Sequence, residues 1–552
     1  MRIGLMTYEW QDMESLHYMS RLTDVSLRDR HEVLYCPPQY LHLPRAERMT
    51  LVKAWVGACD VLVVPIDQVV LQARSEIGPL GPPCVALVMG VPSRGGREIA
   101  STYKYLRTSD LLVGNCVAEV EQSRAMLPNA AVRLLPFPVD DTRFYPESPK
   151  VIDAARRSLQ IDPRSKVILY SGRISLEKNL HTVLKTFGVV RQRIPGCVFV
   201  IAGAETNWPF GEFGVYALEV TRMLRKTIES LRIDPDSVRF IGQRGPDELR
   251  ALYNAADVML NLTLNHNENF GVAQVEAMLC GTRAVGTNWG GLRDTIIDGV
   301  TGRKVRAVVT GAGVKVDWWE AARMVIEELR STEGRDARRQ ACRAAALERY
   351  SLTQYRDGVE AIIGECVARK DTPSEPLAPS QFARDLWALF GRNNGLPPYR
   401  RGPEAFRLYQ ELVRPLVGPG ESGQPVPVSL TGHTAVCLPT PLVPQSKACV
   451  AINDPIFPMD VQVPADLQDT VEAVVQVLRR EVVTRADRLA VRFADRDELT
   501  RTLTWMSETG LILMTACDDD DDVAVQRFGA NSEDPVFNIV PVDHTVDVFY
   551  VR

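Results

Sequence analysis

Two short stretches carry side chains that together could hold a charged, hydroxyl-rich ligand. The first is Asn267-Glu268-Asn269-Phe270-Gly271-Val272-Ala273-Gln274-Val275-Glu276-Ala277-Met278. It begins in a loop after an apolar run at 258–262 and turns helical at about Val272. The free backbone N–H groups of a helix start favour a phosphate. Glu268 and Glu276 stand eight positions apart, one in the loop and one along the helix. One carboxylate can accept from the hydroxyls of a sugar while the other accepts from those of a ribose. A solvated loop glutamate followed by a helix-surface glutamate would give the same spacing.

The second stretch is Leu169-Tyr170-Ser171-Gly172-Arg173-Ile174-Ser175-Leu176-Glu177-Lys178-Asn179. An apolar strand runs into a turn in which Gly172 permits close backbone approach, and a helix follows at about Leu180. Arg173 and Lys178 suit a diphosphate, one as a planar fork and the other as a point charge. An exposed charged turn is the alternative reading of the same residues.

Such residues need strand tips to hold them. Runs at 2–7, 32–36, 61–65, 84–89, 111–114 and 132–136 read as buried strands, with amphipathic segments such as 45–59 and 118–127 between them. The alternation restarts at Val151: strands at 166–171, 198–203, 238–242, 258–262 and 283–286. Helices follow at 180–194, 216–231, 246–254, 272–280, 318–328, 336–350 and 353–370. Strands alternating with helices predict parallel sheets covered on both faces, with ligands at the strand ends. The expected fold class is therefore α/β, two doubly wound domains at 1–147 and 148–370 facing a cleft. Beyond them, 371–446 reads as a Pro/Gly-rich linker with helices at 380–390 and 403–416. Residues 447–552 read as a small α+β unit with helices at 467–481 and 496–509 and strands at 511–515 and 546–551.

The 552 residues carry 64 Lys and Arg against 69 Asp and Glu, a net charge of −5. That balance excludes a global basic field for nucleic acid or an anionic membrane. The 11 cysteines are scattered with no C-x2-C pair, which argues against a cysteine-rich zinc site and for reduced, buried thiols. The opening apolar run is too short for a signal-peptide core, and no run of ~18 apolar residues occurs. A cytoplasmic protein is expected.

Two further stretches lie between and beyond the first two, Val238–Gly242 with its following helix and Thr287-Asn288-Trp289-Gly290-Gly291-Leu292-Arg293-Asp294. Together the four resemble the retaining GT-B glycosyltransferases of the glycogen-synthase and sucrose-synthase type, the group 1 glycosyltransferases. Glu268 and Glu276 meet that family's Glu-x7-Glu signature, Arg173 and Lys178 its Arg/Lys pair, and Gly290, Gly291 and Asp294 its Gly-Gly turn, where Glu is more usual than Asp. The resemblance is strong over 150–370 and weaker over 1–147, where 138–140 and 143–146 look like the family's inter-domain linker; it does not reach 371–552. It implies a nucleoside-diphosphate sugar, UDP- or GDP-linked, held by the second domain, with Gly172, Asn269, Phe270, Gly271, Val272, Glu276, Gly290 and Gly291 on the donor. It implies that Glu268 contacts the transferred sugar, Glu276 the ribose, and Arg173 and Lys178 the leaving diphosphate. Catalysis would then fall to Arg173, Lys178 and Glu268 with no metal and no other cofactor, the leaving phosphate taking the acceptor proton.

Relatives often place a histidine after the strand at 84–89; here 90–97 contains none. His17, Arg94 and His266 are the candidates to enter the cleft in its stead. The glycine-rich turn usual after the first strand is replaced by 7–11, where Tyr8 and Trp10 could stack on an acceptor or pack on the domain. Asp518–Asp522 read as a solvated loop in preference to a cation site. A small-molecule acceptor and self-association through the C-terminal extension are expected, with no nucleic acid and no membrane-spanning segment. A nucleotide-sugar hydrolase or epimerase, and a non-catalytic sensor, are the competing readings.

Overall fold

The computed structural model describes residues 1–6, 14–38, 42–78, 81–89, 102–206, 220–331, 334–372, 374–391, 403–417, 427–430, 434–439, 442–452, 459–481 and 483–517. The first domain is a sheet of β1 (Arg2–Leu5), β2 (Glu32–Tyr35), β3 (Val61–Pro65), β4 (Cys84–Val88), β5 (Leu111–Gly114) and β6 (Ala131–Leu134). All pair in parallel in the order β2-β1-β3-β4-β5-β6. Every residue of β3, β4 and β5 is buried, because helices cover both faces.

The second sheet holds β7 (Val167–Ser171), β8 (Val198–Ala202), β9 (Val238–Gly242), β10 (Val258–Asn261), β11 (Ala284–Thr287) and β12 (Gly302–Val305). Its order is β12-β11-β10-β7-β8-β9, again parallel. The chain runs outward from β7 through β8 and β9, then returns to β7's other side with β10. The loops leaving β7 and β10 thus diverge at the point where strand order reverses, which is where doubly wound sheets open a crevice. The two motif stretches are these two loops.

The helix Leu352–Ala368 packs back on the first domain. Tyr355 and Thr23 share a hydrogen bond of 2.8 Å, and His31 Nε2 lies 2.9 Å from Glu360 Oε2. Three elements of 302–316 went unread in the sequence. They are β12 and the hairpin of β13 (Ala307–Thr310) and β14 (Gly313–Val316), whose turn holds Gly313 at φ +84°.

The stretch read as linker contributes more than helices. It supplies β15 (Thr434–Cys437), which pairs antiparallel with β19 (Val483–Arg485) and β20 (Leu513–Ala516). It also supplies β16 (Leu442–Ser446), the first strand of a meander with β17 (Cys449–Ile452) and β18 (Met459–Gln462). This unit docks on the second domain: Trp318 Nε1 donates to Leu438 O at 2.9 Å and Lys185 Nζ to Pro439 O at 2.9 Å. The described cysteines are unbridged, and all are buried except the half-buried Cys449. No helix of the described residues is long and apolar enough to cross a membrane. The acidic run 518–522 and the strand expected at 546–551 lie outside the described residues.

Candidate active site

The loop after β7 is shaped by its glycine and by Asn179. Gly172 takes φ +149°, and its carbonyl is so close to Gly203 that a Cβ there would lie 1.8 Å from the oxygen. Tyr170 donates its hydroxyl to Arg173 O at 2.8 Å. A single 3-10 turn, Leu176–Lys178, then ends at Asn179 in the left-handed region (φ +57°). Asn179 Nδ2 donates to Leu262 O at 2.9 Å, and Thr263 Oγ1 donates to Glu177 O at 3.2 Å. The loops from β7 and β10 are therefore bonded to each other at the switch point.

That coupling brings Lys178 Nζ onto Glu268 Oε2 in an ion pair, with both side chains mostly buried. Arg173, on the same loop, is one-third exposed, with Nη2 3.6 Å from Glu177 Oε1. Gly271 (φ +86°) precedes the helix Val272–Leu279, whose amino end has no side-chain cap. The loop after β7 thus carries two side-chain cations, each facing a carboxylate, and its Lys178 is tied to the loop that leads into an uncapped helix start, groups of the kind suited to a diphosphate-sized anion.

Gly290 and Gly291, expected in a turn, open the short helix Gly290–Thr295. Gly291 N donates to Glu268 O at 2.7 Å. A Cβ on Gly290 would meet Glu268 O at 2.3 Å, and one on Gly291 would meet Asn269 C and Phe270 N at 2.2 Å. Only glycine lets the two backbones approach this closely. In this structure both glycines pack against the Glu268 loop. Phe270 is buried between Phe137 and Tyr350, a packing role that fixes the loop. Val272 opens the helix, and Asn269 Nδ2 reaches across to Asn115 Oδ1 of the first domain at 3.4 Å.

Glu276 is buried along the same helix and accepts from the Tyr253 hydroxyl at 2.8 Å; that hydroxyl is also 3.2 Å from Ser171 Oγ. Burial pushes its carboxyl up to about 8, against the Tyr253 hydrogen bond, which lowers it; Asp140 adds to the rise and Arg143 opposes it. Tyr18, on the helix Glu14–Leu27, accepts from Asp140 N at 2.8 Å, and burial raises its phenol well above the usual range, with the nearby charge of Glu276 adding to the rise.

His17 is exposed on the same helix, next to Tyr18. The ring of His266 is buried, edge-on to Trp289, with Nε2 3.1 Å from the Tyr409 hydroxyl. It faces a helix of the extension. Tyr8, Trp10 and Arg94 lie outside the described residues. Sequence reading assigned no role to Asn115, Tyr253 or Tyr409. Asn115 had a signal, its place just past the end of a parallel strand; Tyr409 had none, because its contact is purely tertiary. Asp294, the acidic residue of the Gly-Gly turn, accepts from Val117 N of the first domain at 2.7 Å.

Two facing parallel sheets with a charged corner at the second sheet's switch point define the GT-B architecture. Residues 151–345 match the family model described as glycosyl transferases group 1, which bears out the resemblance to that family over this range. Relatives include a D-inositol 3-phosphate glycosyltransferase of Corynebacterium jeikeium, 33% identical over 35% of this chain and 45% of its own length. One of Saccharomonospora viridis is 31% identical over 51% of this chain and 62% of its own. The chain spans about half the length of these curated relatives. Among solved structures, Anabaena HepE in complex with UDP and glucose is similar at TM-score 0.51 and 18% identity, covering 66% of this chain and 99% of that one. Sucrose-phosphate synthase from Thermosynechococcus elongatus matches at TM-score 0.51 and 16% identity, with 66% and 99% covered. At these identities the structures attest the fold.

Proposed function

We propose that this chain is a retaining glycosyltransferase that moves a sugar from a nucleoside diphosphate, UDP or GDP, to a small-molecule acceptor. The observation that carries the reading is the ion pair of Lys178 and Glu268, which joins the loop holding Arg173 to the loop that leads into the uncapped helix start. When a glycosidic phosphate bond breaks, negative charge grows on the leaving diphosphate while the sugar becomes oxocarbenium-like. Arg173, Lys178 and the N–H groups near Val272 would receive that charge. Glu268, released from Lys178 as the diphosphate takes its place, would accept from sugar hydroxyls, and Glu276 with Tyr253 would hold the ribose. The leaving phosphate would take the acceptor proton on the same face of the sugar, giving retention, and no metal ion is needed for this division of charge. The relatives' names make D-inositol 3-phosphate the first acceptor to try.

A thermal-shift screen of UDP-, GDP-, ADP- and TDP-sugars identifies the donor, since a specific ligand raises apparent stability by mass action. Incubating that donor with and without acceptor then tests the reaction. Acceptor-dependent diphosphate release is expected. Rapid stoichiometric release without acceptor would favour the hydrolase reading, and binding without turnover the sensor reading.

A further inference from the structure

The helix Pro403–Val417 belongs to the C-terminal extension, yet it lies against the site. Its buried residues Ala405, Leu408, Tyr409, Leu412, Val413 and Leu416 recur at helical spacing and form one apolar face. That face is shared between domains. Leu412 joins the core of the first domain, whereas Tyr409, Val413 and Leu416 join that of the second. Two of the helix's carbonyls are bound by side chains from opposite sides: Gln122 Nε2 donates to Leu412 O at 2.7 Å and Arg293 Nη1 to Pro415 O at 2.5 Å. Gln122 comes from the first domain and Arg293 from the Gly-Gly turn, so the helix braces the two domains.

A directional polar contact joins the helix to the Glu268 loop. The Tyr409 ring is edge-on to His266 at 5.7 Å between centroids, and the Tyr409 hydroxyl and His266 Nε2 are 3.1 Å apart. His266 in turn packs on Trp289, whose Nε1 donates to Asn265 O at 2.9 Å. Asn265 O also accepts from Glu268 N at 3.0 Å. From this continuous chain of contacts we infer that Tyr409 of the extension is a positioning residue for Glu268, acting through His266. The inference rests on the proposed function for its catalytic consequence, while the contact chain itself is independent of it.

Tyr409→Phe in the full chain keeps the ring and removes only the hydroxyl. With the donor identified above, kcat is expected to fall about tenfold, as for loss of one buried hydrogen bond that orients a reacting group, while the melting temperature and the donor KM stay near those of the parent. Combined with His266→Ala, the loss is expected to equal that of the worse single change. An unchanged kcat, or strictly additive losses, overturns the role. Amide hydrogen exchange over 263–271 gives a readout that needs no turnover. Faster exchange in Tyr409→Phe than in the parent is expected even if the activity proves different, and identical exchange overturns the inference whatever the reaction.

Discussion

Lys178 and Glu268, ninety residues apart in the chain, meet as an ion pair at the tips of adjacent strands β7 and β10. Neither strand end alone makes a site. The return of the chain to β7 after β9 makes the loops diverge there, and the Asn179–Leu262 bond fixes their separation.

The proposed charges give the first expectation. Lys178→Ala and Arg173→Ala should each lower kcat on the order of 10²-fold or more, the scale of losing a preorganised partner of transition-state charge. Steady-state kinetics at saturating donor measures this, and unchanged turnover in either variant would remove that residue from the mechanism.

Glu276 makes a prediction about pH. Its carboxyl rises from 4.5 to about 8 on folding. Between those values the native state retains a proton that the unfolded chain has lost. Stability therefore falls as pH rises through that window and levels off above about 8, a change on the order of a few kcal/mol. Glu276→Gln should flatten this slope in denaturant titrations from pH 5 to 9, and a parallel slope in both proteins would contradict the assignment. Glu276→Ala should chiefly raise the donor KM, so an identical KM would count against ribose contact.

The close approach of Gly291 to the Glu268 loop predicts an effect on stability. Gly291→Ala places a Cβ where the Asn269–Phe270 peptide stands. The cost should be about 1–3 kcal/mol or more, typical of overpacking against atoms that cannot move freely. Thermal unfolding checks it; a parental melting temperature with full donor affinity would show that the turn yields at no cost.

Charge neutralisation by Arg173, Lys178 and a helix start predicts that turnover survives chelation. Activity after EDTA treatment should match that of untreated protein. Complete loss restored by Mn²⁺ would assign the diphosphate to a metal instead.

The local frame of the two proposed site stretches was legible because each falls within a dozen residues, where strand, turn and helix start follow from local apolar runs and glycines. The twelve strands of the two parallel sheets were legible for the same reason, apart from β12, whose Gly-Arg-Lys-Val sequence carries no apolar run. What stayed hidden is tertiary. Asn115 meets Asn269 across the cleft, and Tyr409 meets His266 from a stretch whose prolines and glycines read as linker. β15 and β16 were hidden likewise, because short antiparallel strands gain their identity from partners that come 40 or more residues later for β15 and across a tight turn for β16. The glycines 290 and 291 were recognised, but their packing under Glu268 could not be read from spacing.

The most direct test is a crystal structure of the full chain with its nucleoside-diphosphate sugar. The diphosphate is expected within hydrogen-bonding distance of Arg173, Lys178 and the backbone at Val272, with Glu268 turned from Lys178 to the sugar. A diphosphate bound elsewhere, with the Lys178–Glu268 pair intact beneath it, would contradict the assignment.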